Sequence, residues 1–373
     1  MKNSVLLVGL FVIWFNMSCA QDAENKVSTP EEIPFSAELL IDEMQIPWGL
    51  EVLPDGGILV TEKSGEIIHF KDGKKTQISN VPEVYTRGQG GLMDIKLHPN
   101  YESNGWIYIS YASSEGEEKG GHTALMRAKL IDNSLTDNEL LYKAGPNTTK
   151  GQHFGSRIEF DYEGFLYLSI GERGARDENP QDITRDGGKI YRFYDDGRIP
   201  TDNPFVGTKD AKEAIFSYGH RNPQGMVVHP ETGEIWDNEH GPRGGDEINI
   251  VKRGKNYGWP LVSYGINYSG TEITDKKEMD GMEQPIHYWL PSIAPSGMAF
   301  ITSDKYGDWK GSLLVGSLKF QYLERLVLNG NEVVDRQKLM ADIGRVRDVK
   351  EGPDGLMYVA VEGKGIYKLV PKG

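Results

Sequence analysis

The chain has 373 residues, of which 45 are Gly (about 12%, against an ordinary share of about 7%), and its 38% hydrophobic content is too high for a disordered chain. With 41 Lys and Arg against 55 Asp and Glu the formal charge is −14, which disfavours nucleic acid as a partner, since phosphate binding needs a clustered basic surface. A single cysteine excludes an internal disulfide, thiolate zinc sites and iron–sulfur clusters.

At the N-terminus Lys2 precedes an apolar run, Val5 to Phe15, which has the length of a secretory signal core and is too short to span a bilayer comfortably. Export is therefore expected. Ser18 and Cys19 follow in the order found at bacterial lipoprotein processing sites, so residues 1–19 read as a signal peptide with Cys19 as the point of lipid attachment. Cleavage near Cys19 or Ala20 with loss of the thiol is the alternative. The expected location is periplasmic, either free or as a membrane-anchored lipoprotein. Residues 20–34 are polar and acidic without an apolar period and read as a flexible tether.

From residue 35 to 373 the chain repeats one pattern six times: a glycine turn, then a short apolar or aromatic alternation. The turn glycines are Gly56, Gly105, Gly164, Gly233, Gly311 and Gly355, at intervals of 49, 59, 69, 78 and 44 residues. Turn plus strand at such a period, with no strong helical period, predicts an all-β, six-bladed β-propeller of four-stranded antiparallel sheets. Phe35 to Ile46 is expected to add an N-terminal strand to the blade that holds the last strand, from Ile366, closing the ring and removing exposed edges. A sandwich would need turn signals closer together.

In a propeller the loops at one end of the channel gather residues distant in sequence, so unusual loops are the candidate site. In chain order, RGQGGLM presents Gln89 between glycines, and GQHFGSR places His153 just before a strand, where a neutral imidazole can act as a base. YGHRNPQG carries Arg221 and Asn222. EHGPRGGDEIN sets glycines beside Asp246 and Glu247, and carbonyls with a carboxylate are what a hard cation accepts; a turn with surface charges is the competing reading. Lys319, Arg345 and Arg347 would form an anion site if they converge, the last two sharing one strand face through their spacing of two. No GxSxG, HExxH, Walker or GxGxxG motif stands in a supporting context, and EF-hand spacing is absent.

Taken together, GQGGLMDIKLHP, GQHFGSR, YGHRNPQG, EHGPRGGDEIN, KNYGWP and GRVRD resemble, in this order, the soluble quinoprotein sugar dehydrogenases, most closely the aldose sugar dehydrogenase branch that uses pyrroloquinoline quinone (PQQ). The resemblance runs from Ile46 to the last strand and implies a six-bladed propeller. It implies oxidation of aldose sugars at C1 to lactones by hydride transfer to PQQ with Ca²⁺ assistance. Electrons then pass to an external acceptor, a quinone or a cytochrome. It makes His153 the general base and Arg221 the residue that stabilises charge on the quinone oxygen. Gln89, Arg221, Asn222, Ser263, Tyr264, Lys319, Arg345 and Arg347 match cofactor-contacting positions. Gly241 and Pro242 match carbonyl ligands of the cofactor-associated Ca²⁺, and Glu247 and Tyr257 match a further calcium site. The glucose dehydrogenase branch places an Asp directly before the base, whereas Gln152 precedes His153 here, so any carboxylate support must come from elsewhere and broad aldose use is expected. A monomer or homodimer is expected. The competing classes are a non-catalytic propeller that binds carbohydrate or protein, and a Ca²⁺-dependent lactonase-type propeller.

Overall fold

The computed structural model describes residues 27–30 and 32–372; residues 1–19, read as a signal peptide ending at Cys19, lie outside the described residues. Strand β1 (Phe35–Ile41) is followed by six antiparallel units. The first holds β2 (Pro47–Val52), β3 (Ile58–Glu62), β4 (Glu66–Lys71) and β5 (Lys74–Gln77), and the second holds β6 (Leu92–Leu97), β7 (Trp106–Ser113), β8 (His122–Ile131) and β9 (Ser134–Lys143). The third holds β10 (Ile158–Phe160), β11 (Leu166–Ile170), β12 (Lys189–Phe193) and β13 (Ile215–Tyr218). The fourth holds β14 (Pro223–Val228), β15 (Ile235–Glu239), β16 (Asp246–Ile250) and β17 (His287–Trp289). The fifth holds β18 (Pro295–Phe300), β19 (Leu313–Ser317), β20 (Tyr322–Asn329) and β21 (Glu332–Leu339). The sixth holds β22 (Val346–Glu351), β23 (Met357–Val361) and β24 (Gly365–Pro371), and takes β1 as its outer strand, from Phe35 opposite Pro371 to Ile41 opposite Ile366. This is the six-bladed propeller that the repeat predicts, closed between its two chain ends as expected. Ser28, inside the segment read as a tether, pairs with Gln337 of β21.

Each repeat glycine stands just ahead of the second strand of its blade. All six have φ between +68° and +86°, a region open to glycine at little cost. At Gly56, Gly164 and Gly311 an added Cβ would meet nothing within 4 Å, so the backbone angle and not crowding sets the requirement. The strands that follow are buried almost throughout. Their two faces are covered by the neighbouring blades, giving six inter-blade cores in place of one central core. Examples are Leu59, Ile67, Ile95 and Ile109 between the first two blades, and Ala299, Leu314, Val349 and Val359 between the last two.

The channel is floored by charge. Arg157 donates through Nη1 to Asp94 Oδ1 and Asp348 Oδ1, both at 2.9 Å, and its guanidinium lies 4.5 Å from the Trp48 ring centre. On the same strands Lys96 pairs with Glu159 at 2.6 Å and Lys350 with Glu51 at 3.0 Å. These residues come from the innermost strands of four blades, with Arg157 just ahead of β10, so the network ties the ring across its axis.

Candidate active site

Two kinds of connection meet at one end of the channel. The loops entering the innermost strands supply Gln89 (before β6), His153 (before β10), Arg221 and Asn222 (before β14) and Arg345 (before β22). The hairpin turns after the second strands supply Lys63 (after β3), Glu172 (after β11), His240 (after β15) and Glu362 (after β23). Because the blades are radial, equivalent turns face one another around the axis. They enclose a cavity of about 270 Å³ lined by Trp48, Gln89, Phe154, His240, Arg345 and Arg347 among others. A smaller pocket, sharing His240, is lined by Arg221, Gly241, Pro242, Glu247, Tyr257 and Ser263.

His153 stands at the cavity edge between two residues that line it, Gln89 and Phe154. Its backbone, at φ 56°, is held by N–H donation to Gln89 Oε1 at 2.7 Å, while Gln89 N donates to Gly151 O at 2.6 Å. Behind the loop, the Arg173 guanidinium lies 3.3 Å from the Phe154 ring centre and donates to the carbonyls of Lys150 (2.9 Å), Gly121 (3.2 Å) and Gln152. Gly171 passes close by, where a Cβ would lie 2.5 Å from His153 O and 2.6 Å from Asn222 Oδ1. His153 Nδ1 bonds Glu172 Oε1. A carboxylate only accepts, so Nδ1 carries the proton and Nε2 keeps its lone pair. Burial pushes the imidazole pKa below its ordinary value, the Arg221 charge adds to that, and Glu172 opposes both. The ring is therefore neutral and basic near pH 7, with 13% of its side chain exposed to receive a proton.

The carboxylate missing before His153 in the sequence is thus supplied by Glu172, from the β11–β12 hairpin. The sequence pattern did not single it out; the signal was a Glu–Arg pair one glycine beyond a fully buried strand, in GERGAR at 171–176. Glu362 was missed as well. It accepts from Arg345 Nε at 2.6 Å and from Arg347 Nε at 3.0 Å, so one carboxylate holds both guanidinium groups at the cavity wall. Lys319 does not join them: it is exposed, with Nζ 5.0 Å from the Phe320 ring centre. Burial lowers the pKa of His240 to about 3, with Arg221 adding to the effect, and this neutral ring bonds Pro295 O at 2.6 Å.

Arg221 donates from N to Glu239 Oε2 at 2.5 Å and from Nη1 to His240 O at 2.9 Å. Asn222 is fully buried and accepts from Gly155 N at 3.1 Å. Among the described residues Arg221 Nε and Asn222 Nδ2 are buried donors without a partner, the kind of group that oxygen acceptors of a bound molecule would satisfy. Ser263 lines the smaller pocket and accepts from Gly265 N at 3.1 Å, whereas Tyr264 stacks on Tyr288 at 4.0 Å and donates to Gln284 Oε1 at 2.9 Å.

Glu247 and Tyr257 border a carboxylate cluster that the sequence did not reveal. In the β15–β16 register Glu239 faces Glu247 and Asp237 faces Asn249, so the alternation of two strands puts the acids on one face. Ligand atoms of His220, Asp237 and Glu239 lie within 4.8 Å of one another. Burial raises the pKa of Asp237 and of Glu247 well above the carboxylate range, and the Glu239 charge adds to both. Both Asp237 oxygens are buried without a hydrogen-bond donor among the described residues. Such a set fits a hard cation held by oxygen ligands. Nearby, Gly241 and Pro242 bring their backbone to the same pocket, with Gly241 N donating to Asp246 Oδ1 at 2.8 Å.

Residues 44–368 match the family described as Glucose / Sorbosone dehydrogenase. The chain is 43% identical over 335 residues to the aldose sugar dehydrogenase YliI of Escherichia coli K12, covering 88% of this chain and 90% of the relative. Its fold superposes on the apo-form soluble aldose sugar dehydrogenase of E. coli with a TM-score of 0.87 at 40% identity, over 91% of this chain and 100% of the other. It superposes on the PQQ-bound aldose sugar dehydrogenase of Streptomyces coelicolor with a TM-score of 0.73 at 26% identity, over 92% and 100% of the two chains.

Proposed function

We propose, from the Glucose / Sorbosone dehydrogenase family to which the chain belongs, that it is a PQQ-dependent aldose sugar dehydrogenase that oxidises the sugar C1 hydroxyl to a lactone. The observation that carries the reading is His153, its Nδ1 occupied by Glu172 and its backbone by Gln89, at the edge of a cationic cavity. His153 Nε2 takes the proton of the anomeric hydroxyl, and Glu172 stabilises the imidazolium that results. Arg345 and Arg347 hold carboxylates of the cofactor, for which a guanidinium fork is suited, and Arg221 and Asn222 donate to its oxygens. When bound, PQQ supplies the hydride acceptor and Ca²⁺ a Lewis acid that polarises the quinone carbonyl. Gly241 and Pro242 would hold that Ca²⁺, and Glu247 with Tyr257 a further one that supports the fold. Electrons leave to an external quinone or cytochrome.

The test adds PQQ and Ca²⁺ to purified apo-protein and follows dye reduction with a panel of aldoses, comparing wild type with His153→Ala. Reduction by the wild type alone is expected. Silence with every aldose, or an unimpaired variant, refutes the assignment. We also propose that the chain is exported and held at the membrane through Cys19; palmitate label that persists in Cys19→Ala would overturn the anchor.

A further inference from the structure

The cavity wall carries three cations, Lys63, Arg345 and Arg347, and one carboxylate, Glu362. The two arginines are both engaged by that carboxylate. Lys63 has no ion pair or side-chain hydrogen bond among the described residues, although it is only partly exposed. Burial pushes its pKa below the ordinary lysine value, and the Arg347 charge adds to that against Glu362, so the ammonium shares the electrostatic environment of the arginine pair. The cavity therefore has a net positive charge, and Lys63 is its one cation that makes no ion pair or side-chain hydrogen bond among the described residues.

The placement of Lys63 is rigid. Its N donates to Ile46 O and its O accepts from Leu92 N, both at 3.1 Å, so blades one and two pin its backbone from either side. Gly91 packs against it, at a position where a Cβ would lie 2.1 Å from Lys63 O. Lys63 is also the first residue after the second strand of its blade, the position that Glu362 occupies in the sixth blade and His240 in the fourth. In the sequence it belongs to an ordinary hairpin turn, TEKSG, and only ring closure sets it beside residues about 300 positions away.

We propose that Lys63 is a cofactor-binding residue whose ammonium takes a carboxylate of the anionic quinone next to the Arg345–Arg347 pair. This rests on the PQQ reading above. A tricarboxylate matches more positive charge than two arginines that share a glutamate leave available, and Lys63, its backbone fixed beside them, adds an ammonium without an ion pair or side-chain hydrogen bond among the described residues.

The experiment titrates apo-protein, with Ca²⁺ present, with PQQ and separately with its uncharged trimethyl ester, reading the quenching of fluorescence from Trp48 and Trp259, which line the two pockets. Lys63→Gln is expected to weaken PQQ binding about tenfold, as for loss of one charge-assisted contact, and Lys63→Arg to restore most of it. Binding of the ester should not change in Lys63→Gln, and thermal unfolding of the apo-variants should match the wild type. Equal PQQ affinity in wild type and Lys63→Gln overturns the Lys63 assignment and leaves the PQQ reading intact. Equal losses for PQQ and the ester also overturn it, since the residue would then act through packing or through a sugar contact. A folded wild type that binds no PQQ overturns both.

Discussion

Replacing Glu172 by Gln tests the chemistry of the site with one atom. In the wild type the carboxylate fixes the proton on Nδ1 of His153 and stabilises the ring when it becomes charged; an amide can do the first weakly and the second not at all. A hydrogen bond to a charged group contributes about 1.5–3 kcal/mol, so if it develops in the transition state, the plateau of kcat should fall between about tenfold and about 150-fold. The pH profile adds a second reading. With His153 as the proposed base, activity rises with pH as the ring loses its proton, and its pKa already lies below the ordinary value through burial and Arg221. Glu172 is the influence that opposes them, so its removal lowers the pKa further and moves the acid limb to lower pH while the plateau drops. The assay is dye reduction by reconstituted enzyme with saturating aldose across pH 4 to 8, beside a thermal melt of each variant. A plateau within about twofold of wild type, or a reduced plateau with an unmoved acid limb, would refute the reasoning.

Arg221→Gln should shift the acid limb the other way, towards the ordinary histidine value, because the Arg221 charge lowers the His153 pKa; the same pH series on the weakened enzyme checks the sign. Arg157→Met strands Asp94 and Asp348 in the channel floor and should cost about 3–5 kcal/mol in denaturant unfolding, the penalty of breaking a buried ion pair. Calcium added to chelator-treated protein should raise the melting temperature. The gain reaches about 2.7 kcal/mol at a free concentration a hundredfold above Kd, and Asp237→Asn should reduce it. Gly164→Ala should cost about 1 kcal/mol from its φ of +86° alone, since nothing crowds the site, and calorimetry would show the lower melting point.

The sequence by itself determined the architecture. Six glycines at turns that need a positive φ, each followed by a strand with apolar side chains on both faces, leave radial blades covered by one another as the consistent packing. It also marked the loops that carry Gln89, His153, Arg221, Arg345 and Arg347, because those loops hold side chains a turn does not need. The excursion at residues 251–286, which stretches the spacing before the fifth repeat, carries Tyr257 and Ser263 to the site. What the sequence left out were the partners. Glu172 supports His153 from the next hairpin, Glu362 holds the arginine pair, Lys63 meets them from the far end of the chain, and Asp237 and Glu239 deepen the acidic face that Glu247 only hinted at. Lys319, grouped with the arginines by charge and by the family resemblance, is exposed and outside the lining of the larger cavity. Strand periodicity and turn angles are local, fixed by residues two to four apart, and so can be read along the chain. Which charge meets which depends on the order of blades around a closed ring, where Lys63 and Glu362 become neighbours only once β1 has paired with β24.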